Sequence, residues 1–273
     1  MLKYNIDPAC IKALPRGCGV YIFKGEGTLP LYVGKSVDIR SRVMSHLRAV
    51  DEANMVAQTR WIDYIETSGE IGALLLESRL IKDLSPLYNQ RLRRTRTLSS
   101  IRLVPTERGL VPEVIDSQSV SLGSTPNLYG LFSSKHAANA KLKEIAQQHR
   151  LCMSALGLEK SLARGCFGYQ LKNCLGVCVG KEDRQTHDNR LFTALLDSQV
   201  EIWPFDGPVD LIEVSNGWIQ KHRVHNWCYR GTWCSKTGQT SYLSATQQLK
   251  FDLDSYKILV KPIMLKTVQI ALV

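Results

Sequence analysis

GVYIFKGEGTLPLYVGK, residues 19–35, decides how the first third of this chain folds. Residues 19–24 and 31–34 carry alternating or β-branched apolar side chains. The Gly- and Pro-containing segment between them is turn chemistry, so the stretch predicts a β-hairpin. In an antiparallel pair, Tyr21 and Tyr32 can sit close on one face. Core packing with the hydroxyls at the rim accounts for two such tyrosines without any chemistry. Lys35 follows at once, and Ser36 predicts the cap of a helix with Asp38 in its first turn.

The helices that follow add functional groups to this frame. Residues 37–47 place Ile39, Val43 and Leu47 on one apolar stripe, with Asp38, Arg42 and His46 on the next. An exposed Asp38–Arg42 ion pair of small energetic worth would explain that second stripe. Trp61–Glu66 alternates enough to be a third strand. Residues 70–83 predict a further helix ended by Ser85-Pro86, in which Thr67-Ser68-Gly69-Glu70 fits a capping box. Glu77 in that helix has Ala73, Leu74, Leu80 and Ile81 as its near neighbours. A lone carboxylate there costs on the order of several kcal/mol unless a cation or good donors compensate it. A buried ion pair to an arginine and a divalent-metal ligand explain it equally well.

Over its whole length the chain has 273 residues, a formal charge of +10 and eight cysteines. That length allows two domains at roughly 100–200 residues each. The charge favours a polyanionic partner, with nucleic acid, ribosomal and membrane-surface ligands equally compatible. The first residues have no apolar core of signal-peptide type, and no run approaches the ~20 apolar residues of a membrane span. A cytoplasmic protein is expected, with cysteines that are thiols or metal ligands and not disulfides.

A first domain is read as residues 1–98, a second module as 99–182 and a less informative region as 183–273. Arg91, Arg93, Arg94 and Arg96 close the first domain, either as a solvated linker or as clamps on a nucleic-acid backbone. The second module opens with strand-like segments at 101–104 and 112–115. Ser134 then predicts a helix cap for residues 135–148. Cys152, Cys166, Cys174 and Cys178 follow, separated by thirteen, seven and three residues. Gly176 lets the backbone fold round a ligand between the last two. Four thiolates suit zinc or an iron–sulfur cluster, and buried free thiols are the plain alternative. Beyond residue 183, helix is read at 191–198, strands around a turn at 217–233, and a strand interrupted at Pro262 in 255–265. Aromatics interleaved with Lys221, Arg223 and Arg230 suit base stacking, a protein partner or a plain core.

Gly19-Val20-Tyr21, Tyr32-Val33-Gly34, Lys35, Arg42, Glu77 and Asn89, in that order, resemble the GIY-YIG nuclease family. The resemblance continues through Asn127–Phe132 and the four cysteines into the amino-terminal half of UvrC, the excinuclease subunit of bacterial nucleotide excision repair, and its short relative Cho. It implies an α+β fold: a three-stranded antiparallel sheet flanked by helices, then a Cys-cluster α/β module and a mixed C-terminal region. It also implies a hydrolase, a metal-dependent endodeoxyribonuclease that nicks damaged double-stranded DNA on the 3′ side of a lesion, loaded by UvrB.

The implied chemistry uses one Mg²⁺ or Mn²⁺ on Glu77, since the domain lacks the several acidic ligands of two-metal nucleases. Tyr21 or Tyr32 serves as base, its pKa of ~10 lowered by Lys35 and the metal site. Arg42 braces the phosphate. His46 stands where UvrC-like proteins often carry another tyrosine, so its role is left between assisting the base, contacting phosphate and packing. Asn89 orients the Glu77 helix or a phosphate. By the same resemblance the cysteines hold a 4Fe–4S cluster, with zinc as the alternative. Rival readings are a GIY-YIG nuclease of branched or specific DNA that needs no UvrB, and a non-catalytic iron–sulfur DNA-binding module.

Overall fold

The computed structural model describes residues 5–89, 97–160, 164–242 and 251–273. They fall into two compact units, residues 1–95 with 204–273, and residues 96–203. The arginine run at 91–96 lies outside the described residues. Among those residues no helix is long and apolar enough to cross a membrane.

The first unit begins with α1 (Pro8–Ala13) and the hairpin of β1 (Gly19–Lys24) and β2 (Pro30–Ser36). After α2 (Ile39–His46) and α3 (Ala53–Gln58), β3 (Trp61–Glu66) pairs with the other edge of β1, giving the sheet order β2-β1-β3, all antiparallel. Central β1 is buried along almost its whole length because both faces of the sheet are covered. Tyr21, Phe23 and Leu31 pack against Ile39, Val43, Leu47, Met55 and Val56. On the opposite face Val20, Ile22 and Val33 pack against Ile81 of α4 (Glu70–Leu84). In this register Tyr32 lies opposite Phe23, and Tyr21 opposite Gly34, so the two tyrosines are diagonal neighbours on one face.

Two local expectations change. Asp38, not Ser36, caps α2, accepting from the Ser41 amide at 2.8 Å, while Ser36 Oγ braces Asp38. The capping box before α4 does not form: Gly69 is the cap residue and offers no side chain, and the Glu70 carboxylate is drawn away to pair with Lys35.

The rest of this unit is a five-stranded antiparallel sheet from β7 (Val209–Ser215), β8 (Trp218–His225), β9 (Cys228–Cys234), β10 (Gln239–Tyr242) and β11 (Gln269–Leu272), in the order β10-β9-β8-β7-β11. Residues 255–265, read as an interrupted strand, are instead the body of a helix, Leu253–Met264. Tyr256, Leu259 and Ile263 recur at steps of three and four and are its buried apolar positions, a helical period that outweighs the β-branched content. Asp252 caps it at the Ser255 amide, 3.0 Å, and Pro262 lies inside its last turn.

The second unit holds β4 (Ser99–Thr106), β5 (Gly109–Asp116) and β6 (Leu128–Phe132) in the order β5-β4-β6. Ser134 caps α5 (Lys135–Gln148) as the sequence predicts, accepting from the Ala137 amide at 3.1 Å. The short helix α6 (Phe167–Gln170) lies within the cysteine segment. The helix read at 191–198 is longer on its amino side: α7 spans Arg184–Leu195 behind an Asp183 cap, and one 3₁₀ turn completes it. The helix Leu253–Met264 is α8 in chain order.

Candidate active site and thiol centre

Tyr21, Tyr32, Arg42, His46 and Glu77 converge on the hairpin. Tyr21 is fully buried and Tyr32 half-buried, with ring centroids 6.2 Å apart. His46, on the last turn of α2, is not on a solvated stripe: it is buried with its ring 5.4 Å from Tyr21 and 5.3 Å from Tyr32. The Tyr21 hydroxyl is 2.7 Å from His46 Nε2, and His46 Nδ1 pairs with the Glu52 carboxylate. Burial lowers the His46 pKa against the opposing pull of Glu52, so the neutral imidazole is favoured near pH 7. With its Nδ1 proton directed at Glu52, Nε2 is left to accept from Tyr21.

Burial also raises the pKa of both tyrosines, Tyr21 further supported by Tyr32 and Tyr32 by Glu77; the Arg42 guanidinium beside them only partly offsets it. Lys35 does not depress either phenol, because its ammonium pairs with Glu70. A free tyrosinate is therefore disfavoured; Tyr21, His46 and Glu52 form a hydrogen-bonded run, and the Tyr32 ring lies beside its Tyr21 end. Buried Tyr21 and His46 thus stand between two half-exposed groups, Tyr32 on one side and Glu52 on the other.

Glu77 stands at the middle of α4. One carboxylate oxygen accepts from the Lys35 amide at 3.0 Å, and burial raises its pKa against that bond and the Lys35 charge. Among the described residues no arginine pairs with it. A half-buried anion that has no side-chain cation partner among the described residues fits a divalent ion. Among the described residues no group of three acidic or histidine ligands includes it, so water and phosphate would complete the shell. Arg42 is exposed on α2 beside Tyr21. Asn89 clasps Val33 through both backbone groups, at 2.8 and 2.9 Å, so it holds β2 beside Tyr32 and does not orient α4.

Gly34 makes the close packing possible, because a β-carbon there would overlap the Tyr21 hydroxyl and ring. Gly34→Ala is expected to lower stability by about 1–3 kcal/mol and to push Tyr21 off His46. Thermal melting and nicking rate together check this; unchanged nicking would show that the Tyr21–His46 contact is dispensable.

Sequence reasoning missed Glu52. It lies in a polar turn six residues beyond His46, where a carboxylate reads as solvated, and only the chain reversal after α2 returns it to the ring.

The four cysteines of the second unit do meet. Their Sγ atoms all lie within 4.8 Å of one another, in a pocket closed by Ala155, Tyr169 and Val177. Backbone amides point at the sulfurs: Cys166 at Cys178 Sγ, Tyr169 at Cys166 Sγ, and Gly176 at Cys174 Sγ, at 3.4, 3.2 and 3.3 Å. Gly176 holds φ at +95°, the left-handed turn its identity anticipates. His187 Nε2 accepts from the Cys152 amide at 3.1 Å. Burial pushes the Cys152 thiol up to about 11 and the Cys166 thiol up as well. Cys178 is held below the usual thiol range because amide and thiol hydrogen bonds overcome its burial. Such a set is suited to a metal centre. Cys10, Cys18, Cys228 and Cys234 are free and lie outside it.

Comparison with known proteins covers nearly the whole chain. Residues 17–90 match the UvrC-like GIY-YIG domain, residues 100–197 the UvrC/Cho excinuclease middle domain, and residues 208–272 the excinuclease Cho C-terminal domain. Excinuclease Cho of Salmonella typhimurium (strain LT2) is 47% identical over 254 residues, 92% of this chain and 84% of that one. Excinuclease Cho of Escherichia coli (strain K12) is 46% identical over 253 residues, with the same coverage. The UvrABC system protein C of Alkaliphilus metalliredigens is 28% identical over 68% of this chain and 31% of its own. A crystal structure of the GIY-YIG N-terminal endonuclease domain of UvrC from Thermotoga maritima, bound to magnesium, is 32% identical. It covers 30% of this chain and 92% of its own, with a TM-score of 0.28. The chain therefore belongs to the Cho excinucleases, DNA endonucleases of excision repair that carry a UvrC-like GIY-YIG domain.

Proposed function

We propose that this enzyme nicks one strand of damaged double-stranded DNA on the 3′ side of a lesion, after UvrB has loaded it, by one-metal hydrolysis at the hairpin site. The observation that carries this reading is the hydrogen-bonded run Tyr21–His46–Glu52 with Tyr32 beside it, together with a Glu77 that has no cationic side-chain partner among the described residues. Glu77 would hold a single Mg²⁺ or Mn²⁺, which when bound offsets charge developing on the phosphate and its leaving oxygen.

Tyr32, beside the Tyr21 end of that run, positions the attacking water. As the water oxygen bonds to phosphorus, its proton passes to Tyr32. Tyr32 gives its hydroxyl proton to Tyr21, and Tyr21 gives its own to His46 Nε2. The imidazolium so formed is held by Glu52. No phenolate accumulates, which suits two tyrosines whose acidity burial suppresses. The bond from phosphorus to the leaving oxygen then breaks, that oxygen taking a proton from solvent water while the His46 imidazolium returns one to solvent. Arg42 braces the phosphate with a guanidinium fork. Lys35 holds the Glu70 end of α4 and, through its amide, Glu77; Asn89 fixes the strand that carries Tyr32. Arg91, Arg93, Arg94 and Arg96 supply phosphate contacts that set register on the duplex.

The test is nicking of a duplex with one defined lesion, with and without UvrB and Mg²⁺. A single 3′-side nick that needs both is expected. Lesion-independent cutting without UvrB would instead support a branched- or specific-DNA nuclease. No cutting under any condition would support a non-catalytic DNA-binding module.

For the thiol centre, the family resemblance supports a 4Fe–4S cluster. The approach of all four sulfurs within 4.8 Å favours the smaller alternative, zinc, whose ~2.3 Å bonds draw four sulfurs close together. Elemental analysis of anaerobically purified protein separates the two: four irons with sulfide, or one zinc. Cys174→Ala is expected to lose the metal and to lower the melting temperature of the second unit; retention of full metal content would overturn the assignment.

A further inference from the structure

We propose that Glu213, on β7 of the C-terminal sheet, is the amino-terminal cap of α4 and so a positioning residue for Glu77. The proposal rests on the reading that Glu77 holds the cation. Helix α4 starts without a side-chain cap of its own, because Gly69 is the cap residue and Glu70 is engaged by Lys35. Its first amides would be left without partners.

The Glu213 carboxylate takes two of them. One oxygen accepts from the Ile71 amide at 2.9 Å, and the other from the Gly72 amide at 2.8 Å. That second oxygen is also 3.0 Å from His222 Nε2. His222 is wholly buried, its Nδ1 2.7 Å from Thr232 Oγ1, which is 2.6 Å from the Tyr229 hydroxyl. The Gln220 side chain accepts from the Ser68 amide at 3.0 Å, just before the helix. His222 and the two amides hold the Glu213 carboxyl below its ordinary range although burial opposes this, so an anion faces the positive end of the helix dipole.

The first turn of α4 has the shape that this contact needs. A β-carbon on Gly69 would overlap the Glu213 carboxylate, and one on Gly72 would press on the His222 ring. The far end of α4 is held from the same part of the chain: Lys82 Nζ lies 2.7 Å from Asp252 Oδ1 and 3.1 Å from Asp254 Oδ2. Glu77 stands between these two anchors. The C-terminal region is thus part of the nuclease site's support, and β7 fixes where along its axis the catalytic helix sits.

Glu213→Gln and Glu213→Ala in the full chain test this, with nicking rate, KM for lesion duplex and Mn²⁺ affinity as readouts. Support for a ligand-bearing element commonly carries about 10- to 100-fold in affinity or activity. A loss of that order in kcat and Mn²⁺ affinity, with KM unchanged, is expected for Glu213→Ala, and a smaller one for Glu213→Gln. The second arm moves the cap into the helix itself. Gly69→Asp alone should impair nicking, since its side chain meets Glu213. Gly69→Asp combined with Glu213→Ala should recover most of the lost rate. Should Glu213→Ala fail to fold, Glu213→Gln and the double variant carry the test. Wild-type kcat in a Glu213 variant, or a folded double variant no faster than either single one, would overturn the cap. Wild-type protein that binds no Mn²⁺ at Glu77 would instead overturn the reading on which it rests.

Discussion

Glu77→Ala is expected to reduce strand nicking in Mg²⁺ by roughly a thousandfold or more, because a Lewis-acid ion contributes on the order of several kcal/mol to such a transition state. Binding to lesion duplex should stay close to wild type, since in the proposed reading cationic side chains supply the phosphate contacts and Glu77 supplies none. Removing the carboxylate should not unfold the domain. It relieves a half-buried anion whose single hydrogen bond among the described residues is to the Lys35 amide, so melting should hold or rise slightly. Loss of nicking with intact folding and binding is therefore the signature of a metal ligand. Glu77→Gln keeps the shape and an acceptor for the Lys35 amide while removing the charge, and should be nearly as inactive. Wild-type turnover in either variant would overturn the metal assignment.

The second large effect is expected at His46. His46→Gln fills similar space and cannot take the proton, and should lower the nicking rate by about 10²- to 10⁴-fold, the usual worth of a general base. The pH profile separates this from a packing defect. With the neutral His46 imidazole as the proposed base, the wild-type rate should rise with pH as His46 loses its proton and then level off. Burial places that limb below the ordinary histidine range. Glu52 raises the His46 pKa, so Glu52→Gln should move the limb to still lower pH and lower the plateau by on the order of tenfold, as the imidazolium loses its counter-charge. His46→Gln should abolish the limb. A limb unmoved in Glu52→Gln, measured on folded protein, would remove Glu52 from the proton path. A limb that survives unchanged in His46→Gln would show that it belongs to another group and would remove His46 as the base.

What the sequence made legible was local. The Tyr21–Tyr32 hairpin, the Trp61–Glu66 strand and the Ser134-capped helix each follow from period and cap chemistry within a few residues. The four cysteines were legible as a set because few roles place a Gly between two nearby thiols, and they do converge. Failures came where a distant partner decides. Thr67-Ser68-Gly69-Glu70 has the letters of a capping box, yet Lys35 claims Glu70 and β7 supplies the cap. Lys35 reads as a neighbour of the tyrosines along the chain, but the strand pleat and Glu70 turn its ammonium elsewhere. Glu52 and Glu213 carry no local mark, since a carboxylate in a turn and one on a strand both look solvated until tertiary packing closes over them. Residues 255–265 misled for another reason: Ile, Val and Pro in one run suggest a broken strand, while the burial of Tyr256, Leu259 and Ile263 keeps the helical period.

Manganese binding followed by electron paramagnetic resonance tests the hairpin site most directly. Wild-type protein should take up one Mn²⁺ per chain at this site, Cys174→Ala should retain it, and Glu77→Ala should lose it. Undiminished binding in Glu77→Ala would contradict the assignment of that carboxylate as the ligand on which hydrolysis depends.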